Sequence, residues 1–187
     1  MSENDVEPSS SISKRRLETL FDGIFAIAMT ILVLELKIPD LADSRSVAEI
    51  SNALAHHAAT FASYLLSFLM LGLFWYRHNH QYHHYRFISK GMFALHLVQL
   101  AAAAFFPFCA ALMGRYPVNR FSALLYVGCV MVYAWASFAT WSLAKKSGAI
   151  DAATDSAKYL LVRKKLLFGV LLISSIFALQ LLSIVAG

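Results

Sequence analysis

Five apolar runs, each long enough to cross a bilayer, constrain this chain more than any other feature: roughly 17–38, 56–76, 88–113, 120–144 and 166–186. A helix needs about 20 mostly apolar residues to span a hydrocarbon core of about 30 Å. Lipid offers the backbone no hydrogen-bond partners, so only helices or closed barrels can cross it. The runs are of helical length and lack the alternating pattern of the roughly ten-residue strands that build outer-membrane barrels. The sequence therefore predicts an all-α integral membrane protein, a bundle of five or six transmembrane helices. With 59% hydrophobic and 14% charged residues, a second soluble domain has no material to fold from. Residues 14–187 read as a single transmembrane domain. Residues 1–13, polar and Ser-rich (SENDVEPSSS), read as a disordered tail.

The first run follows Lys14, Arg15 and Arg16, as a cleavable signal would, but it exceeds a typical signal core and has no small-residue cleavage site before Pro39. It is read as a retained helix. Cys109 and Cys129 both sit within apolar runs and read as small packing residues. Lys and Arg fix the orientation. With the N-terminus inside, 12 of the 16 basic residues fall on inner segments, leaving Lys37, Arg45, Arg115 and Arg120 outside. The N-terminus is therefore expected in the cytoplasm and the chain in the cell membrane. The net charge of +5 is accounted for by topology, and no nucleic-acid partner is needed.

The first run also poses a problem, because it carries Asp22 in its early turns. A lone carboxylate in hydrocarbon costs about 2.5–3.5 kcal/mol on insertion scales, so Asp22 needs a partner or a job. At about 100° per residue, Leu20, Gly23, Ile27, Ile31 and Leu34 form one stripe flanked by Thr30, and Asp22 lies about 140° away from Ile27. Two arrangements satisfy this. Either the stripe meets lipid and Asp22 faces the bundle, or the stripe meets copies of itself around an axis while neighbouring helices hold Asp22. Gly23, Ala26 and Thr30 allow close helix approach in both.

The stretch FWYRHNHQYHHYR, Phe74 to Arg86, holds four of the seven histidines. His80, His83 and His84 have the i, i+3, i+4 spacing that suits a transition metal. No Cys or carboxylate accompanies them, and aromatic and His residues also collect at membrane interfaces, which is the preferred reading; no metal site is expected. His56 and His57 are placed at the external end of the same helix, and His96 within the third span reads as a packing residue. Pro107 should kink that span by removing one backbone hydrogen bond. The run Arg163-Lys164-Lys165 reads as an inner-face anchor before the last span, in reach of anionic lipid. Phosphate-cradling, zincin, hydrolase and CxxC motifs are absent, and so is a TVGYG-like carbonyl filter.

The residues of the first span, RLETLFDGIFAIAMT from Arg16 to Thr30, resemble the signature RxxxFSDGxFAIAxT of the lysosomal potassium channel family, transmembrane protein 175, and its prokaryotic relatives. Trp75 and His78 match a W-x-x-H at the end of that family's second helix, and Pro107-Phe108 a PF in its third. The resemblance implies a potassium-permeable channel that is not an enzyme. It also implies a homotetramer with the first helix lining a central pore, and potassium as the permeant ion without any cofactor. It places the aliphatic gate and filter on Ile27, Ile31 and Leu34 and the hydroxyl beside it on Thr30. Arg16 and Asp22 would join a structural polar network with Trp75 and His78.

Two features depart from the family. Its serine is Phe21 here, so the network must differ locally. Its six spans are matched by only five runs, unless residues 158–187 hold two short helices. Two other classes compete: a proton-coupled secondary transporter working from Asp22, and a haem or metal protein. Haem needs His residues at matching depth on two helices, and the sequence gives His96 no evident partner.

Overall fold

The computed structural model describes residues 13–37, 46–150 and 156–185; of the tail expected over residues 1–13, residues 1–12 lie outside them. Six helices follow in order: α1 (Lys14–Leu34), α2 (Val47–His56), α3 (Ala58–Tyr82), α4 (Lys90–Arg115), α5 (Arg120–Lys146) and α6 (Ser156–Val185). All except α2 are long and apolar enough to cross a membrane. The ten residues of α2 reach only about 15 Å.

The sequence left a sixth helix open, and the structure supplies one. It is α2, between the first and second spans, whereas residues 156–185 form one continuous helix of 30 residues. The local cause of α2 is a capping box: the Ser46 hydroxyl accepts the Glu49 amide at 3.2 Å. His57, with ψ near 12°, ends α2 and starts α3, so the break falls at the His56-His57 pair, at the end of the span where that pair was expected. The placing of Arg163–Lys165 is corrected. These long-chain helix formers continue α6 toward its N-terminus, and the basic run is part of the helix that it was expected to precede.

Short polar signals mark the other ends. Ser89 accepts the Met92 amide at the start of α4, and the Asn119 carboxamide oxygen accepts the Phe121 and Ser122 amides at the start of α5. Helix α5 closes on a glycine in the left-handed region, Gly148 at φ 69°. The Ala149 amide donates back to Ala144 and the Gly148 amide to Lys145, the Schellman pattern. The same turn then accepts the Arg86 amide on the Ala149 carbonyl and pairs Ile150 with Tyr85. The loop after α3 is thereby tied to the loop after α5.

Helices α4 and α5 form the centre. Half of α4's most apolar window is buried, against 6% of α6's, which leaves α6 on the outside of α5. In lipid the apolar effect between helices is weak, so close packing and interhelical hydrogen bonds specify the arrangement. Phe74 stacks on Tyr133 at 4.1 Å, and the Tyr133 hydroxyl donates to the Phe74 carbonyl. Ser67 meets Tyr126, Gln81 meets Ser137 and Gln99 meets Thr140, all between 3.1 and 3.2 Å. At the end opposite the basic turns, Ser63 donates to the Ala110 carbonyl where α3 and α4 come very close: a Cβ on Gly114 would stand 3.1 Å from the Thr60 Cα. Helix α4 runs unbroken through the buried Pro107, beside which the Cys129 thiol donates to the Ala102 carbonyl at 3.2 Å. Trp135 to Ser174 and the Arg120 guanidinium on the Ser183 carbonyl pin α6 to α5.

Candidate functional site: the two faces of the first helix

Helix α1 is divided lengthwise. Leu17, Phe21, Phe25, Ala28 and Leu32 recur at helical spacing and are buried against the bundle. On the far side Ile27, Ile31 and Leu34 are 59%, 40% and 73% exposed. The stripe read from periodicity is therefore the face that the chain itself leaves uncovered. Gly23 lies on that side with open space where a side chain would start. Thr30 stands there too, its hydroxyl donating back to the Ala26 and Ile27 carbonyls. That bond spends the hydroxyl proton on the helix's own backbone and turns the oxygen into an acceptor on the uncovered face.

Asp22 sits at the edge between the two faces, and its Oδ1 accepts the Trp75 indole N–H at 2.8 Å. A carboxylate is acceptor-only and an indole nitrogen donor-only, so the pair is complementary. The aspartate of the first span thus has its partner on α3, two helical turns from the basic end. Of the four residues expected in one network, the structure joins Asp22 and Trp75 by a hydrogen bond and brings His78 close by through a different contact. The Phe21 ring lies flat on the His78 imidazole with centroids 3.5 Å apart and planes 7° apart. Phe21, at the position where the resemblance implies a serine, thus meets His78 through a stacked contact. Arg16 is exposed and is not brought to Asp22 within the chain.

His78 also meets His96 of α4 edge-on at 5.3 Å, and Phe21 contacts both rings. His96, without an evident partner in the sequence, has one at matching depth in His78. The rings pack directly on one another, which leaves no gap for a porphyrin between them. Among the described residues His78 Nε2 and both nitrogens of His96 have no hydrogen-bond partner, and ring contacts pack this buried cluster. The interface reading of the 74–86 stretch is likewise divided: Phe74, His78, Gln81, Tyr82 and Tyr85 are buried, whereas Trp75, Tyr76, His80, His83 and Arg86 are exposed. Helix α3 stops at Tyr82, yet His80 and His84 still meet edge-on at 5.6 Å, and His84 also packs on Trp141 at 5.8 Å. Among the described residues no group of three or more His, Cys, Asp or Glu converges as a metal site.

The sequence reading missed how α1 is anchored. The Tyr82 hydroxyl donates to the Lys14 carbonyl at 2.6 Å, the Lys14 ammonium donates to the Tyr85 carbonyl at 2.8 Å, and that ammonium stands 5.2 Å from the Tyr82 ring centroid. The Tyr85 phenol, in the loop outside the spans, is fully enclosed, and burial holds its proton well above the usual phenol range. Aromatic crowding before α4 was the available signal, but it does not distinguish an inward ring from an interfacial one.

Fold and site together define a polytopic helical membrane protein whose first helix is clamped along one face and left bare along the other. Residues 16–107 match the family described as endosomal/lysosomal potassium channel TMEM175, a family of ion channels and not of enzymes. A potassium channel of Streptomyces collinus is 29% identical over 130 residues, covering 67% of this chain and 62% of its own length. The mouse endosomal/lysosomal proton channel TMEM175 is 29% identical over 157 residues, 75% of this chain but 31% of that protein. This chain therefore spans less than two thirds of either of those relatives. A crystal structure of a lysosomal potassium-selective channel TMEM175 homolog from Chamaesiphon minutus superposes with a TM-score of 0.77 at 27% identity, covering 90% of this chain and 87% of that one.

Proposed function

We infer that residues 14–187 form one channel domain which assembles with copies of itself, as a homotetramer in the cell membrane, into a potassium-permeable cation channel. The observation that carries this reading is the bare face of α1. One helix cannot enclose a pore, and four copies of α1 about a closed symmetry axis would bring Ile27, Ile31 and Leu34 into successive aliphatic rings. The clamped face keeps the helix on its own bundle meanwhile. A narrow aliphatic ring dewets and blocks ions, and conduction follows when the helices rotate or move apart. Thr30, with its oxygen free to accept, offers a partly dehydrated cation its one polar contact between those rings. In a chain without a TVGYG-like loop, selectivity rests on such side chains. The N-terminus lies in the cytoplasm on the Lys and Arg distribution. The permeant ion is potassium, no cofactor takes part, and lipid and other copies of the chain are the partners.

In this reading Asp22 is structural, since its carboxylate is engaged by Trp75 at the rim of the clamped face. The test is the reversal potential of purified protein in planar bilayers under opposed potassium and sodium gradients. A potassium-favouring potential is expected, and Ile27→Asn, which wets the ring, should raise basal current and weaken the preference. Unaltered currents in that variant would remove Ile27 from the ion path. Loss of all flux in Asp22→Asn with assembly intact would move the assignment to a transporter.

A further inference from the structure

A crevice of about 160 Å³ opens between α3, α5 and α6, remote from the bare face of α1. It has polarity along its length. At its floor, near the middle of the spans, lie Met70, Val130 and Ile176; at its mouth lie Arg77 and Ser137. The mouth is at the same end of the bundle as Lys145 and Lys146, which close α5, and as the Arg163–Lys165 turn of α6. Seven residues of α3 separate Arg77 from Met70, about 10 Å of depth at the helical rise. Drug-sized ligands occupy about 300–1,000 Å³, so this crevice fits a chain segment better than a compact molecule.

Arg77 is the unexplained residue. It is half-buried and makes no hydrogen bond or ion pair among the described residues, and no carboxylate lines the crevice. An arginine in a span is expensive unless it is paired or reaches the interface, and its planar fork is matched to a phosphate. We propose that this crevice binds one anionic phospholipid, with the phosphate on the Arg77 guanidinium and part of an acyl chain lying between α3 and α6 toward Met70 and Ile176. The occupant follows from the order of the lining, cation at the membrane surface and aliphatic groups below it, which is the order of groups along a phospholipid. A second copy of the chain, presenting an apolar helix, would leave Arg77 unpaired. The basic turn at Arg163–Lys165 adds attraction for negative headgroups at the mouth.

Native mass spectrometry of the full chain, released from detergent after exposure to equal amounts of phosphatidylglycerol and phosphatidylcholine, tests this directly. Wild type should retain phosphatidylglycerol about tenfold more than phosphatidylcholine, as a charge-assisted contact implies. Arg77→Gln should lower retention to the phosphatidylcholine level. Gly169→Leu keeps Arg77 but fills the crevice, because the missing Cβ of Gly169 points at the guanidinium from 3.9 Å, and it should lose the same lipid. If Arg77→Gln does not fold, Gly169→Leu decides alone. Equal retention of both lipids by wild type, unchanged retention in a folded variant, or full competition by glycerol phosphate without acyl chains would overturn the proposal.

Discussion

The Phe21 ring lies on the His78 imidazole at 3.5 Å and within 7° of parallel, although 57 residues separate them in the chain. Phe21 is fully buried, so its truncation removes both the stack and the volume beneath it. Phe21→Ala should destabilise the folded protein by about 3 kcal/mol, the lower end for a buried aromatic. Thermal unfolding in detergent reads this; a change below about 1 kcal/mol would mean that the stack is incidental to packing.

The Asp22 and Trp75 side chains form a single hydrogen bond near the surface of the chain, where its net worth is modest. Trp75→Phe and Asp22→Asn should each be mildly destabilising, and a double-mutant cycle should return a coupling of about 1 kcal/mol. Strictly additive effects would show that the two residues do not depend on each other.

The bare and clamped faces of α1 predict a contrast in accessibility. In a background with Cys109 and Cys129 replaced by Ser, Ile31→Cys should react with a small water-borne thiol reagent and block the current. Leu32→Cys, one residue on and 1% exposed, should not react. Equal labelling at both positions would contradict the proposed pore face.

If the five candidate spans among the described residues all cross and α2 does not, Lys14 and Val185 stand on opposite sides of the membrane. Reporter fusions should therefore find the N-terminus in the cytoplasm and the C-terminus outside. Both ends on one side would require α2 and α3 to cross separately.

Burial raises the Tyr85 phenol above its ordinary value, and the sign of the resulting pH dependence follows from linkage. The folded state disfavours phenolate, so the stability tied to the neutral ring is complete below the unfolded phenol value of about 10. It is lost progressively as the pH rises above that. Unfolding midpoints in detergent between about pH 8 and 11 should fall, and Tyr85→Phe should make the fall shallower. An identical slope in the variant would show that Tyr85 is not the group responsible.

Much of α1 was legible beforehand because it is amphipathic in a special sense: one stripe of Ile27, Ile31 and Leu34 is set against another of Phe21, Phe25 and Leu32, with Asp22 at the border. Periodicity isolated the stripe of Ile27, Ile31 and Leu34 without saying whether it met lipid or copies of itself, since lipid and a helical partner are both apolar and select the same residues. The other long helices were found for their length, and their ends moved wherever basic or aromatic residues carried a helix beyond the hydrocarbon, as at Arg163–Lys165. The sequence by itself determined a multispan helical membrane chain and the composition of both faces of its first helix. The tertiary structure decided that the aliphatic face stays uncovered, that Trp75 is the partner of Asp22, that His96 meets His78, and that the extra helix precedes α3. These outcomes depend on contacts between helices distant in the chain, where close packing and a few hydrogen bonds select one arrangement among several equally apolar ones.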